Sequence, residues 1–187
     1  KARSIAEFAR LKNPKQPELW LEAMERESRA GNEKLAANLM AKALQECPDA
    51  GMLWAHEICS APRPQQKGKS LEALKRCDNN PQVIVAVAQL FAHERKFAKA
   101  RKWFNRAVTL EPDLGDAWAA WYAFEVQHGS EQEQQDVLGK CASAEPAHGS
   151  LWCAVSKARG ERNPAKADVL RRVAQRIVEE KNAPSFA

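Results

Sequence analysis

Residues 112–129 read Pro-Asp-Leu-Gly-Asp-Ala-Trp-Ala-Ala-Trp-Tyr-Ala-Phe-Glu-Val-Gln-His-Gly, and they set a frame that recurs along the chain. Trp118 follows Pro112 by six residues, and Glu125 follows Trp118 by seven. Trp20, Trp54 and Trp152 likewise lie six residues after Pro14, Pro48 and Pro146. Pro81 opens a further copy, with Val87 in the Trp place. The intervals between these prolines are 34, 33, 31 and 34 residues. Self-similarity at such a period marks a helical repeat array.

Each unit reads as two antiparallel helices. The first carries the Trp, and the second is marked backwards from the next proline. Five residues before the proline stand Ala9, Ala43, Arg76, Ala107 and Cys141; eight before stand Ala6, Met40, Ala73, Phe104 and Leu138. Small side chains at the five-before position let helix backbones approach closely. Proline closes the unit because it cannot continue a helix. One unit cannot bury its apolar face alone, so neighbours must stack. The Trp residues are therefore expected to anchor the core. The expected fold is all-α, a single solenoid over residues 1–187. Residues 1–14 form the second helix of a truncated repeat, which suggests a fragment of a longer solenoid. Repeats follow at 15–48, 49–81, 82–112 and 113–146, with a terminal repeat and capping helix at 147–187.

Taken in order, Ser4-x-x-Glu7 has the spacing of a capping box, but the frame places it inside a helix. Pro17 suits a first turn, Gly31 a helix end, and residues 33–46 a second helix carrying Leu35, Leu39, Met40, Ala43 and Leu44. Unit two is irregular. Ala61-Pro62-Arg63-Pro64 stops its first helix, and the second is expected to restart near Lys69. Residues 61–68 are thus expected to form the most mobile interior segment. Val83–Val87 has strand propensity, which the repeat frame overrides in favour of a helix. Residues 97–108 give a strong second helix, with Trp103 and Phe104 supplying the bulk that Val87 lacks. Ser130 with Glu133 predicts a capping box. Asn163-Pro164 predicts the start of a last helix over about 165–181, with Val169, Leu170, Val173, Ile177 and Val178 on one stripe.

Composition excludes several classes of function. The chain has 187 residues, 44% hydrophobic and 28% charged, enough for a sizeable core. No apolar run approaches the roughly 18 residues that span a bilayer. Five cysteines (Cys47, Cys59, Cys77, Cys141 and Cys153) show neither a C-x-x-C pair nor zinc-ligand spacing with histidine, so reduced, half-buried thiols are expected. No H-E-x-x-H, G-x-S-x-G or Gly-rich phosphate loop is present. No catalytic, cofactor-binding or metal-binding residue is therefore assigned. The net charge of +5 concentrates in residues 63–76, with five Lys/Arg against one acid, and in 157–187, with eight against four. Arg63, Lys67, Lys69, Arg171, Arg172 and Arg176 are the candidate contacts for a partner or for RNA. Aromatics are not interleaved with these basic residues, as a single-strand binder would want.

The Trp-x-x-aromatic-x-x-Phe-Glu phrase at 118–125, with Ala-Arg-x-x-Phe-x-Arg-Ala at 100–107, resembles the HAT (half-a-TPR) repeat. The signature residues in this chain are Trp20, Glu27, Ala43, Pro48, Trp54, Pro81, Glu94, Ala100, Ala107, Pro112, Trp118, Trp121, Phe124, Glu125, Pro146 and Trp152. Glu27, Glu94 and Glu125 carry the acid seven residues after the Trp place; Ala61 and Arg159 depart from it. Longer phrases, among them Asn38-Leu-Met-Ala-Lys-Ala-Leu-Gln-Glu-Cys-Pro48 and the run from Ala144 to Lys157, resemble the C-terminal array of the pre-mRNA-processing factor 6 family. That resemblance implies a right-handed superhelical α-solenoid of HAT helix pairs. It also implies a nuclear, non-enzymatic scaffold without cofactors that bridges components of the spliceosomal tri-snRNP. Its partners would be snRNP proteins, with no membrane and no small-molecule substrate. The alternative is an RNA-binding module acting through 63–76 and 157–181, and RNA is expected to bind at most weakly and without sequence preference.

Overall fold

The structure is a computed structural model that describes residues 2–158 and 164–182. The described residues are all-α. The chain divides into two compact units, Lys1–Ala86 and Val87–Phe186. The first holds α1 (Ala2–Lys12), α2 (Pro17–Arg29), α3 (Glu33–Glu46), α4 (Gly51–Ser60), α5 (Arg63–Arg76) and the start of α6 (Pro81–His93). The second holds the rest of α6, then α7 (Phe97–Leu110), α8 (Gly115–His128), α9 (Glu131–Ala144), α10 (Ser150–Ser156) and α11 (Lys166–Asn182). In the first unit α2 pairs with α3 and α4 with α5; in the second α8 pairs with α9, and α11 lies on α8, α9 and α10.

The turns explain the period. In four of them the backbone N–H three residues past a helix cap donates to the cap's carbonyl. Gln16 donates to Asn13, Ala50 to Cys47, Asn80 to Cys77 and Leu114 to Glu111, each at 3.2 Å. Seven residues after each of those caps stand Trp20, Trp54, Ile84 and Trp118. Ile84, not Val87, therefore holds the Trp place in unit three. Pro81 does not close a unit; it is the first residue of α6, as Pro17 is of α2. A proline is tolerated there because a first-turn N–H has no intrahelical partner. The Trp places recur at 34, 30 and 34 residues, and the missing four are lost where α4 meets α5. Helix α4 has 10 residues, against 13 in α2 and 14 in α8.

The same shortening corrects the reading of residues 61–68. Pro62 is the N-cap of α5, which begins at Arg63 and not near Lys69, and Pro64 sits in its first turn. The turn is confined to Ala61 and Pro62, and Gly68 is a helical residue with open space around it. Other ends follow their local chemistry. Gly31, at φ +78°, takes the left-handed conformation after α2, and Asn32 N–H donates back to Glu27. Ser130 and Glu133 form a reciprocal capping box. Ser4 and Glu7 lie inside α1, and Val83–Val87 lies inside α6. The Asn163 cap lies outside the described residues.

The cores are built from the Trp places and the small residues facing them. In the first unit Trp20, Met24, Leu39, Met40, Ala43, Cys47 and Leu53 form one buried cluster. Leu35 and Leu71, at 39% and 62% exposed, stay out of it. In the second unit α8 is buried from Ala117 to Glu125 on every side, because α7, α9, α10 and α11 surround it. Helix α11 contributes Val169, Leu170, Val173 and Ala174.

Candidate interaction surfaces

The Pro–Trp spacing has a hydrogen-bonding cause. Trp20 Nε1 donates to the Pro14 carbonyl, Trp54 Nε1 to Pro48, and Trp118 Nε1 to Pro112, each at 2.8 Å. Thiols of the next unit share two of those carbonyls: Cys47 Sγ donates to Pro14 at 3.5 Å and Cys77 Sγ to Pro48 at 3.9 Å. An indole buried with its N–H satisfied is an anchor, and it fixes each linker to the helix that follows. The fifth copy differs, since Lys166 Nζ of α11 donates to the Pro146 carbonyl at 3.2 Å. Trp152 instead packs where any Cβ on Gly115 would stand. Asp116 caps α10 across the chain, accepting from the N–H groups of Trp152 at 2.8 Å and Leu151 at 3.3 Å.

Glu125 is the acid of the repeat signature, and its carboxylate is almost fully buried. It accepts from Arg101 Nε and Nη2, each at 3.0 Å to one oxygen, and from Trp121 Nε1 at 3.0 Å. Arg101 Nη1 also reaches Glu133 at 2.8 Å, and its guanidinium lies over Phe124. A buried carboxylate is tolerated only when paired and hydrogen-bonded in this way. Glu27 is also buried and accepts from Asn32 Nδ2 at 2.9 Å. Glu94 is different: it follows α6 and pairs with Lys96 at 2.7 Å near the surface. The Glu place of unit three, seven residues after Ile84, is Phe91. Ala43, Ala100, Ala107 and Phe124 are buried, as the helix packing requires.

The basic candidates fall in different units. Arg63 and Lys67 are exposed on α5, while Lys69 is held by Glu57 at 3.0 Å. Arg171, Arg172 and Arg176 are exposed on α11, and Arg171 pairs with Asp168 at 3.0 Å. Burial raises the thiol pKa of Cys47 and Cys77 and pushes that of Cys141 up to about 12. These three are packing groups and not nucleophiles. Among the described residues no group of His, Cys, Asp and Glu could hold a metal ion.

No protein-family model matches the chain. Three curated relatives match it strongly. The human Pre-mRNA-processing factor 6 is 54% identical over 115 residues, 62% of this chain and 12% of that protein. Protein STABILIZED1 of Arabidopsis thaliana is 49% identical over 123 residues, 66% and 12% of the two chains. The Schizosaccharomyces pombe Pre-mRNA-splicing factor prp1 is 40% identical over 157 residues, 84% and 17%. The chain is homologous to these proteins over much of its length. It spans 12% to 17% of the length of these relatives.

Proposed function

We propose that this chain is a non-enzymatic protein–protein interaction scaffold in pre-mRNA splicing. It acts in the nucleus as a single HAT-type array over 1–187 and bridges components of the spliceosomal tri-snRNP. The observation that carries this reading is the 40–54% identity to proteins named as pre-mRNA-processing and splicing factors. The internal use of the aromatic residues supports it: the repeat Trp side chains face the cores, leaving helix surfaces for macromolecular contact. The basic residues Arg63, Lys67, Arg171, Arg172 and Arg176 are exposed and would be contact points for snRNP proteins. They are less suited to specific RNA recognition, because they lie on two separate helices without an exposed stacking platform.

The test is capture from nuclear extract with and without nuclease. The scaffold reading expects snRNP proteins to be retained after nuclease treatment. It also expects residual RNA retention to disappear in the R171E/R172E/R176E variant while the fold survives. Capture lost on nuclease treatment, with sub-micromolar sequence-selective RNA binding abolished by the triple change, would make the chain an RNA-binding module.

A further inference from the structure

The Arg101–Glu125–Glu133 cluster has a counterpart in the first unit in which all three partners are replaced. Arg101 lies 10 residues before the α7 cap Glu111, and Ala37 lies 10 before the α3 cap Cys47. Glu125 lies seven residues after Trp118, and Ala61 seven after Trp54. Glu133 is the third residue of α9, and Gln65 the third of α5. Trp121, which donates to Glu125, corresponds to Glu57. Ala37, Ala61, Gln65 and Glu57 all line one groove of about 260 Å³ in the first unit.

The walls of that groove show what it would take. Buried Met24 and Met40 contribute apolar lining. Glu33 and Glu57 bring two carboxylates, Ser28 and Ser60 bring hydroxyls, and among the described residues no Lys or Arg lines it. Glu57 is already shared with Lys69, and Glu33 accepts from Ser28 at 3.2 Å. His56 Nδ1 is buried and has no hydrogen-bond partner among the described residues. The lining is therefore acidic and rich in acceptors over an apolar base, at the register where α7 of the third unit places the Arg101 guanidinium against the fourth.

We propose that the groove between the α2–α3 and α4–α5 hairpins receives an arginine side chain from a basic segment of a protein partner. The inference rests on the scaffold reading and names one of its contact points. The arginine stem covers Met24 and Met40, and its guanidinium donates to the carboxylates of Glu33 and Glu57 and to His56 Nδ1. Charge complementarity selects this occupant over an apolar side chain, and it disfavours RNA, whose phosphates would face two carboxylates.

The experiment titrates the isotopically labelled chain with the capped peptide acetyl-Gly-Ser-Arg-Ser-Gly-amide, its citrulline and leucine counterparts, and an oligouridine RNA. The arginine peptide is expected to shift signals of Ala36, Ala37, His56 and Ala61 saturably, with the citrulline peptide at least about tenfold weaker. E33Q/E57Q should weaken binding by about tenfold, and A37R/A61E, which refills the groove from within, should abolish it. Equal binding of arginine and citrulline or leucine peptides overturns the proposal. So do shifts confined to other residues, or tighter binding of the RNA at the groove. If A37R/A61E fails to fold by circular dichroism, E33Q/E57Q decides alone. In nuclear extract, nuclease-resistant capture that is undiminished in E33Q/E57Q keeps the scaffold reading and defeats the groove. Absence of capture by either chain defeats the scaffold reading, and the peptide titration still decides the groove.

Discussion

The hairpin around Glu125 and the hairpin around Ala61 occupy the same register and solve the same packing problem in opposite ways. In the first case a carboxylate with a side chain 2% exposed accepts from Arg101 and Trp121, and Glu133 holds the far side of Arg101. In the second, alanines and a glutamine leave a groove. The difference shows that a repeat can keep its Pro–Trp frame while the interior of each joint is sealed or left open. The frame is held by Trp54 Nε1 on Pro48 and Trp118 Nε1 on Pro112, which are identical at 2.8 Å. What varies is the polar cluster above it.

The largest expected effect is on the shared frame. Trp118→Ala should cost about 3–5 kcal/mol, because it removes a large buried aromatic ring, and it also frees the Pro112 carbonyl. Urea denaturation checks this, and a loss under about 1 kcal/mol would mean that the ring does not anchor the core. The sealed joint comes next. Arg101→Ala should cost about 2–3 kcal/mol, since it leaves Glu125 buried with only Trp121 to donate. The value is set below a fully buried pair because the Arg101 side chain is 31% exposed. Lys69→Ala at the open joint should cost at most about 1 kcal/mol. Equal losses for the two would erase the distinction between the joints.

Glycines sharpen the contrast further. Gly115→Ala would place a methyl in Trp152 and should cost about 1–3 kcal/mol. Gly68→Ala should instead stabilise by about 0.5–1 kcal/mol, because Gly68 is helical with nothing within 4 Å of a new Cβ. Thermal melts measure both. No gain at Gly68 would restore the reading of residues 61–68 as a loop. The smallest effect is chemical: exposed Cys59 should alkylate readily in the native chain, while Cys141, with its thiol pKa near 12, should stay unmodified until unfolding. Mass spectrometry of the labelled protein separates them.

The all-α class was legible because Trp20, Trp54 and Trp118 follow proline at a spacing that a hydrogen bond enforces. Helices α3, α7 and α9 were legible from their apolar stripes and the Ser130–Glu133 box. The register of unit three was not. Pro81 mimics a closing proline, and only the turn bond from Asn80 to Cys77 shows that it starts a helix. The α5 start was hidden by Pro62 and Pro64, which look like breakers but occupy cap and first-turn positions where no N–H is needed. The Arg101–Glu125 pair is 24 residues apart in sequence, so its partner lay beyond any local pattern. The doubled signal of Ala37 and Ala61, an arginine place and a glutamate place emptied together, could have pointed to the groove.

A double-mutant cycle tests the shared register most directly. The unfolding free energies of the wild-type chain, A37R, A61E and A37R/A61E are measured by urea denaturation under identical conditions. The register predicts that the two new side chains meet as Arg101 and Glu125 do, with a favourable coupling of about 1–3 kcal/mol. A coupling below about 0.3 kcal/mol, with both single variants folded, would show that Ala37 and Ala61 do not occupy that register and would contradict the account.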